Sequence, residues 1–517
     1  MKRNLLFSAL FVFAFSAAVF AQEKVDPAAV QRIREEGLNH SKVMETAFYL
    51  TDVAGPRLSG SPGLKRAQNW AVEKLKSYGL TNVNLEPWGK FGKGWEVEKN
   101  YAAITVPYYH AIIAVPKAWT PGTPGLVKSE VVLVKADTIT DLEKYKGKLA
   151  GKIVIYDANG VLPPGTNPDF KRYSDQELTE MANAAPQAGR GNFNPNSPQF
   201  AARRRLMMLR SQITDFLKNE NVALILSQAR GTDGTVFTTN GASYAEDAKP
   251  VVAELETSSE DYFRIVRLLR AGQKVEMEAD VQTKFFTDDL QGYNVIGEIP
   301  GTDKKLKDQV VMLGAHFDSW HGATGATDNA AGSAVMIEAM RILKAINFKP
   351  KRTIRIALWS SEEQGLFGSR NYVLNHYGNP NTQLKPEQAK VSAYYNLDNG
   401  TGKIRGVYLQ GNEAVGPIFK TWLEPFNDLG AATVTIRNTG STDHVSFDAV
   451  GIPGFQFIQD SMDYGTRTHH SNQDTYDRLS EDDLKEAATI VASFVYNTAQ
   501  RPEMLPRKEM PKPQGTN

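Results

Sequence analysis

A chain of 517 residues exceeds what one hydrophobic core usually organises, so two domains, or one large domain carrying an insertion, are expected. Its 59 basic and 58 acidic side chains nearly cancel and form no long basic stripe, which argues against a nucleic-acid partner. There is no cysteine, which removes disulfides, thiolate metal sites and thiol nucleophiles; any metal must be held by imidazole and carboxylate.

Residues 1–21, MKRNLLFSALFVFAFSAAVFA, set Lys2 and Arg3 before an apolar run ending in Val19-Phe20-Ala21, the small-x-small pattern of a secretory cleavage site. A signal peptide cleaved near Ala21/Gln22 and a secreted or periplasmic location are expected. The run falls short of the roughly 20 residues that span a bilayer, so no stable membrane insertion is expected after cleavage. Over 61–78, Ser61 suits an N-cap, Pro62 the first helical position and Gly79 the C-terminal cap, and Leu64, Ala67, Trp70, Ala71 and Leu75 form one apolar stripe. Residues 120–282 change texture, with short β-rich runs such as EVVLV, GKIVIYD, VALILS and VVAEL broken by Gly, Pro and Asn. They are expected to form an inserted β-rich domain, in which Arg203, Arg204, Arg205 and Arg210 lie on a solvated helix face.

From 294 onward strand and helix alternate: QVVMLGAH, a helix over 331–345, TIRIALW, a helix over 367–377, then SAYYNLD, with further strands at GVYLQ, ATVTIR and GFQFIQ and a final helix from Ser480 to 500. Continuous apolar strands between helices predict an α/β fold whose mainly parallel, mixed central sheet is flanked by helices on both faces. That domain is expected to be discontinuous, 22–119 plus 283–500. The tail 501–517 carries four prolines and is expected to be disordered.

His316 ends one strand, Glu362 and Glu363 follow the next, Asp398 ends a third, and His470 lies in a loop after GFQFIQ. In an open α/β sheet, ligands bind outside the carboxyl ends of the strands, so these groups can converge on one rim. Carboxylates brought together would repel and raise each other's pKa, whereas divalent cations relieve that repulsion. Two imidazoles and three carboxylates suit a pair of ions roughly 3.5 to 4 Å apart, and the donor chemistry suits zinc. No HExxH occurs in the chain.

The chain resembles the M28 family of co-catalytic zinc peptidases through AHFDS (315–319), TDNAAG (327–332), WSSEEQGLFGS (359–369), NLDNG (396–400) and HHSNQDT (469–475), with GPRLSGSPG (55–63) upstream. YKGKLAGKIVIYD (145–157) and NVALILS resemble a protease-associated (PA) domain, an insertion found in some members of that family. The resemblance implies two Zn2+ ions per chain, with Asp328 bridging, His316 and Asp398 completing one site, and Glu363 and His470 the other. Glu362 would be the general base, and Asp318 would accept the second N–H of His316 and fix its tautomer. The resemblance implies His470 rather than His469, because the family's ligand directly precedes a Ser or Thr and stands four residues before the Asp of a D-T pair, as His470 does. The resemblance also implies a cis peptide between Asp328 and Asn329. Thr439 stands where some members carry a transition-state-stabilising tyrosine, and Tyr464 is the substitute considered for substrate contact. His321, His376 and His444 are expected to be structural or rim residues.

An exopeptidase acting on short peptides is the expectation, with aminopeptidase or dipeptidase polarity ahead of carboxypeptidase action. Glutaminyl cyclisation is an enzymatic rival, and a metal-free receptor-like ectodomain is a non-enzymatic one; the retention of five ligand positions and a base argues against both. A homodimer follows from the resemblance alone.

Overall fold

The computed structural model describes residues 23–158, 160–162, 165–186 and 197–510; the expected signal peptide lies outside them. Two eight-stranded sheets organise these residues. The first runs in the order Thr81–Lys90, Gln291–Ile299, Thr353–Trp359, Val310–His316, Val391–Asn396, Gly454–Gln459, Ile404–Tyr408, Thr433–Thr435. Its four central strands, 353–359, 310–316, 391–396 and 454–459, are mutually parallel, and antiparallel strands flank them. Alternation along a strand feeds two cores: Val311, Leu313 and Ala315 pack in one apolar cluster, and Met312 in another on the opposite face. The first cluster is covered by helices Pro27–Asn39, Ala331–Ala345 and Glu481–Gln500, the second by helix Phe367–Tyr377. This is the mixed α/β architecture with helices on both faces that the strand and helix alternation requires, and among the described residues no barrel closes. Helix Pro62–Ser77 starts at Ser61, whose Oγ accepts the Leu64 N–H.

The second sheet takes strands His110–Ala111, Gly94–Val106, Glu276–Phe286, Val127–Val134, Ile153–Tyr156, Leu224–Gln228, Glu254–Thr257 and Ala114–Pro116. It therefore begins at Gly94, ahead of the boundary expected at 120, and runs to Phe286, beyond the expected 282. The reason is pairing at long range: residues 94–106 lie antiparallel to 276–286, a partner that local composition does not announce. In helix Pro198–Asn219 only Ile213 and Leu217 are buried, and Arg203, Arg204, Arg205 and Arg210 are exposed.

The tail is a correction. Residues 501–510 are not loose: Leu505 is buried at 2 % exposure, and the Arg507 guanidinium donates to the carbonyls of Gly451, Gln388 and Val391. Proline prevents a helix but leaves an extended strap free to anchor by one apolar side chain and its cations. Residues 511–517 lie outside the described part. Among the described residues no helix is long and apolar enough to cross a membrane.

Candidate metal centre

The parallel register aligns the rim. His316, the last residue of its strand, pairs with Trp359, the last of the neighbouring strand, and Asp398 follows two residues after the strand on the other side. Asp328 comes from an irregular turn (326–330) that leads into helix Ala331–Ala345, with a cis peptide to Asn329. The Asn329 side chain locks that turn, donating to the Leu397 carbonyl at 2.9 Å and accepting the Gly332 N–H at 2.9 Å. A Cβ on Gly332 would lie 2.4 Å from Asn329 Oδ1 and 2.3 Å from the Leu397 oxygen, so TDNAAG needs glycine at its end.

Asp328 stands between two imidazoles. His316 Nε2 lies 3.2 Å from Asp328 Oδ1 and 3.2 Å from Asp398 Oδ1, while His470 Nε2 lies 3.1 Å from Asp328 Oδ2 and 2.8 Å from Glu363 Oε2. Thus His316, Asp328, Asp398, Glu363 and His470 are brought to one place. His469 is there too: its Nε2 is 3.8 Å from Asp328 Oδ2, its ring is 3.8 Å from that of His470, and with Asp328 and His470 it forms a second donor group beside His316, Asp328 and Asp398. Glu362 is held beside the cluster by its N–H, which donates to Asp318 Oδ1 at 3.1 Å.

Asp318 differs from expectation. His316 Nδ1 meets the main-chain oxygen of Asp318 at 3.0 Å, and the carboxylate is 3.9 Å away. The carboxylate instead accepts the N–H groups of Glu362 and Glu363, at 3.1 and 3.3 Å, and the Ser59 hydroxyl at 3.2 Å. Two residues past the strand end the side chain turns toward the next rim loop, leaving the carbonyl to orient the imidazole. Asp318 therefore positions the Glu362–Glu363 pair as well as the histidine.

Two further supports were in the quoted motifs without an assigned role. Arg57, fully buried, donates to the carbonyls of Phe317, Leu50, Thr324 and Gly325, tying down both ends of the loop between His316 and Asp328. Burial lowers its pKa to about 10 against the pull of Asp474, Asp318, Asp328 and Glu363. Asp474, of the D-T pair, accepts the N–H groups of Thr327 and Asp328 at 2.7 and 3.1 Å.

The charges show what the cluster wants. Burial opposes protonation of His470, yet Glu363 and Asp328 outweigh it and push the imidazole up to about 11; Asp398 and Asp328 likewise hold His316 well above its ordinary range. Burial works to raise Asp328, but His470 and His316 bring it well below the carboxylate range. Glu363 is pushed up to about 7 by burial and by Asp328, and Glu362 is raised well above its usual value, first by burial. Protons on the imidazoles thus supply positive charge that a metal ion would otherwise bring. Two buried oxygens, Asp328 Oδ2 and Glu363 Oε1, have no hydrogen-bond partner. Asp328 Oδ2 and His470 Nε2 lie 3.1 Å apart, close enough to face one cation together. The donor set fits divalent metal.

Tyr464 donates its hydroxyl to Asp328 Oδ1 at 3.0 Å, with its ring 4.6 Å from that of His469, so it belongs to the cluster's own network. The three histidines expected to be structural or rim residues are engaged elsewhere: His321 with the Pro116 carbonyl, His376 with Glu86, and His444 with Gln410 and the Thr439 carbonyl. The charged side chains Asp463, Arg467 and Arg405 are also ion-paired: Asp463 with Arg478, Arg467 with Asp169 and Asp233, Arg405 with Asp460.

The profile of peptidase family M28 matches residues 294–495, the segment that contributes every member of this cluster. Carboxypeptidase Q of Bos taurus is 27 % identical over 476 residues, covering 91 % of this chain and 88 % of that protein. The crystal structure of a peptidase M28 precursor from Shewanella amazonensis SB2B superposes with a TM-score of 0.65 at 25 % identity, covering 94 % of this chain and 99 % of that one. The same fold is found in a zinc aminopeptidase from Bacillus subtilis, with a TM-score of 0.53, 19 % identity, and coverage of 91 % and 98 %.

Proposed function

We propose that the chain is a member of peptidase family M28, whose profile matches residues 294–495, and an exported metallo-exopeptidase that holds two zinc ions and removes terminal residues from short peptides. The observation that carries this reading is Asp328, which offers one oxygen to each of two imidazole and carboxylate groups, His316 with Asp398 and His470 with Glu363. Bound zinc lowers the pKa of water toward neutrality and polarises a carbonyl. Glu362 takes the proton of the attacking water and returns it to the leaving amine; burial, with Asp398, Asp443 and Glu363 nearby, raises its affinity for a proton well above the ordinary carboxylate range against the pull of His316. Asp318 fixes Glu362 and Glu363 through their N–H groups, and its carbonyl keeps the His316 Nδ1 proton away from the metal-facing nitrogen. The PA-like reading of the second sheet fits a cover that limits substrate length.

Polarity is proposed as aminopeptidase or dipeptidase action. Carboxypeptidase action is the second reading, favoured by the near full-length similarity to carboxypeptidase Q. Free dipeptides, N-blocked peptides and C-amidated peptides should be assayed side by side with zinc content. Hydrolysis lost only on N-blocking supports the first reading, loss only on C-amidation the second, and a protein that takes up no zinc and cleaves none of them refutes both.

A further inference from the structure

The loop 462–472, which carries Tyr464, His469 and His470, is tied to the first sheet's rim through Tyr464 and Thr468 but not by that rim alone. It is held at both ends by the inserted region. At its start, Lys171 and Met462 exchange main-chain hydrogen bonds of 2.9 and 2.8 Å, and the Thr466 hydroxyl donates to the Asp169 carbonyl at 2.8 Å. At its end, residues 236–238 lie antiparallel to 470–472. The Thr238 N–H donates to the His470 carbonyl at 2.6 Å, the Asn472 N–H to the Val236 carbonyl at 3.1 Å, and Asn472 Oδ1 accepts the Val236 N–H at 2.8 Å. Between them Arg467 reaches the Thr232 carbonyl and the side chains of Thr235, Asp233 and Asp169.

Two of the three residues taken up by main-chain bonds to the insertion are also in the left-handed backbone region that non-glycine residues avoid, Met462 at φ 50° and His470 at φ 61°. Such a conformation persists only where surroundings over-determine it. For His470 those surroundings are Thr238 behind the main chain and Asp328 and Glu363 before the ring. Without the clamp, the peptide at His470 would be free to relax and swing the imidazole away from both carboxylates.

We propose that segment 232–238 of the inserted region, through Thr238 and its pairing with Asn472, is the positioning element for the His470 side of the metal centre, so that zinc binding and docking of the insertion reinforce each other. This rests on His470 being a metal ligand. Coupling of this kind is reciprocal: whatever docking contributes to zinc affinity, zinc returns to docking.

The test uses the full chain, with zinc alone as the probe. Chelator competition should show two zinc sites in the wild type, one of which is weakened tenfold or more by Asn472→Ala, while Asn472→Asp, which keeps the Oδ1 acceptor, recovers much of the loss. Amide exchange at Thr238 and Asn472 in the wild type should slow at least tenfold on adding zinc. Zinc affinities within twofold of wild type in a folded Asn472→Ala protein overturn the proposal. Should that variant not fold, exchange at Thr238 that ignores zinc in the wild type overturns it equally. A wild type that takes up zinc, but whose affinity His470→Ala leaves untouched, refutes the ligand assignment, and the positioning claim falls with it.

Discussion

The two eight-stranded sheets share a plan and differ at their rims. Each has short parallel strands rich in Val, Ile and Leu at its centre. In the first, the ends of those strands lead to His316, Glu362, Glu363 and Asp398. In the second they end in Tyr156, whose carbonyl takes the Tyr262 hydroxyl at 2.6 Å, and Gln228, whose amide donates to Ser259. A parallel sheet provides a rim, but chemistry comes from acids and imidazoles collected there in excess of their internal partners. Even the buried acids differ in kind: Glu362 lies among His316, Asp398, Asp443 and Glu363, whereas Glu256, pushed up to about 8 by burial, feels Lys117 and Glu254 among the described residues.

Swapping one acid in each region breaks or sharpens that contrast most directly. Glu362→Gln should lower kcat by roughly 10²- to 10⁴-fold with zinc uptake retained, while Glu256→Gln should leave hydrolysis unchanged. Equal losses from both, measured on one dipeptide, would mean that the insertion also carries chemistry. The Glu256 pKa is raised in the folded state, so its contribution to stability is present at low pH and lost as pH rises through about 8. Glu256→Gln should therefore gain most over wild type above pH 8.

The next effect in size concerns what the first sheet depends on outside itself. Leu505→Ala should cost about 2 to 5 kcal/mol in urea unfolding, as expected for a fully buried leucine in the strap that follows the final helix. A change under about 0.5 kcal/mol would return the strap to the status of a loose tail.

A smaller effect separates the rims by pH. Asp443 and Asp474 are pushed up to about 7, chiefly by burial, so in zinc-free protein their contribution is fully present below the ordinary carboxylate range and lost as pH rises through 7. His470, raised to about 11, contributes below its ordinary range and loses that contribution as pH rises through 11, the same direction. Urea midpoints of zinc-free protein should thus fall from pH 5 to 8, and Asp443→Asn should flatten the fall. Zinc affinity should move the opposite way, because its ligands must shed protons. Midpoints rising with pH without zinc would contradict the assigned charges. Smallest of all, Met207→Lys on the exposed helix face should change the unfolding free energy by no more than about 0.5 kcal/mol in urea titration.

Much of the fold was legible because it is local. Helix Pro62–Ser77 announces itself through Ser61 and Pro62, and strand Val310–His316 through an unbroken apolar run. The cluster was legible as residue types: His316, Asp328, Glu363, Asp398 and His470 sit in short motifs, and the fold brings them together. What escaped reading depends on partners far along the chain. Gly94–Val106 joins the second sheet through residues 276–286, the Asp318 carboxylate meets residues 362 and 363, and Arg57 binds carbonyls more than 250 residues away as well as that of Leu50.

The sequence by itself determined which side chains could carry the chemistry and which strands would deliver them to one edge, since apolar periodicity and strand ends are local properties. Only the tertiary structure decided which atom of Asp318 serves His316, that His469 stands within the same cluster, and that the inserted region grips the loop of His470. Those depend on the directions of main-chain groups brought together across the fold, and no pattern of neighbours along a chain encodes such directions.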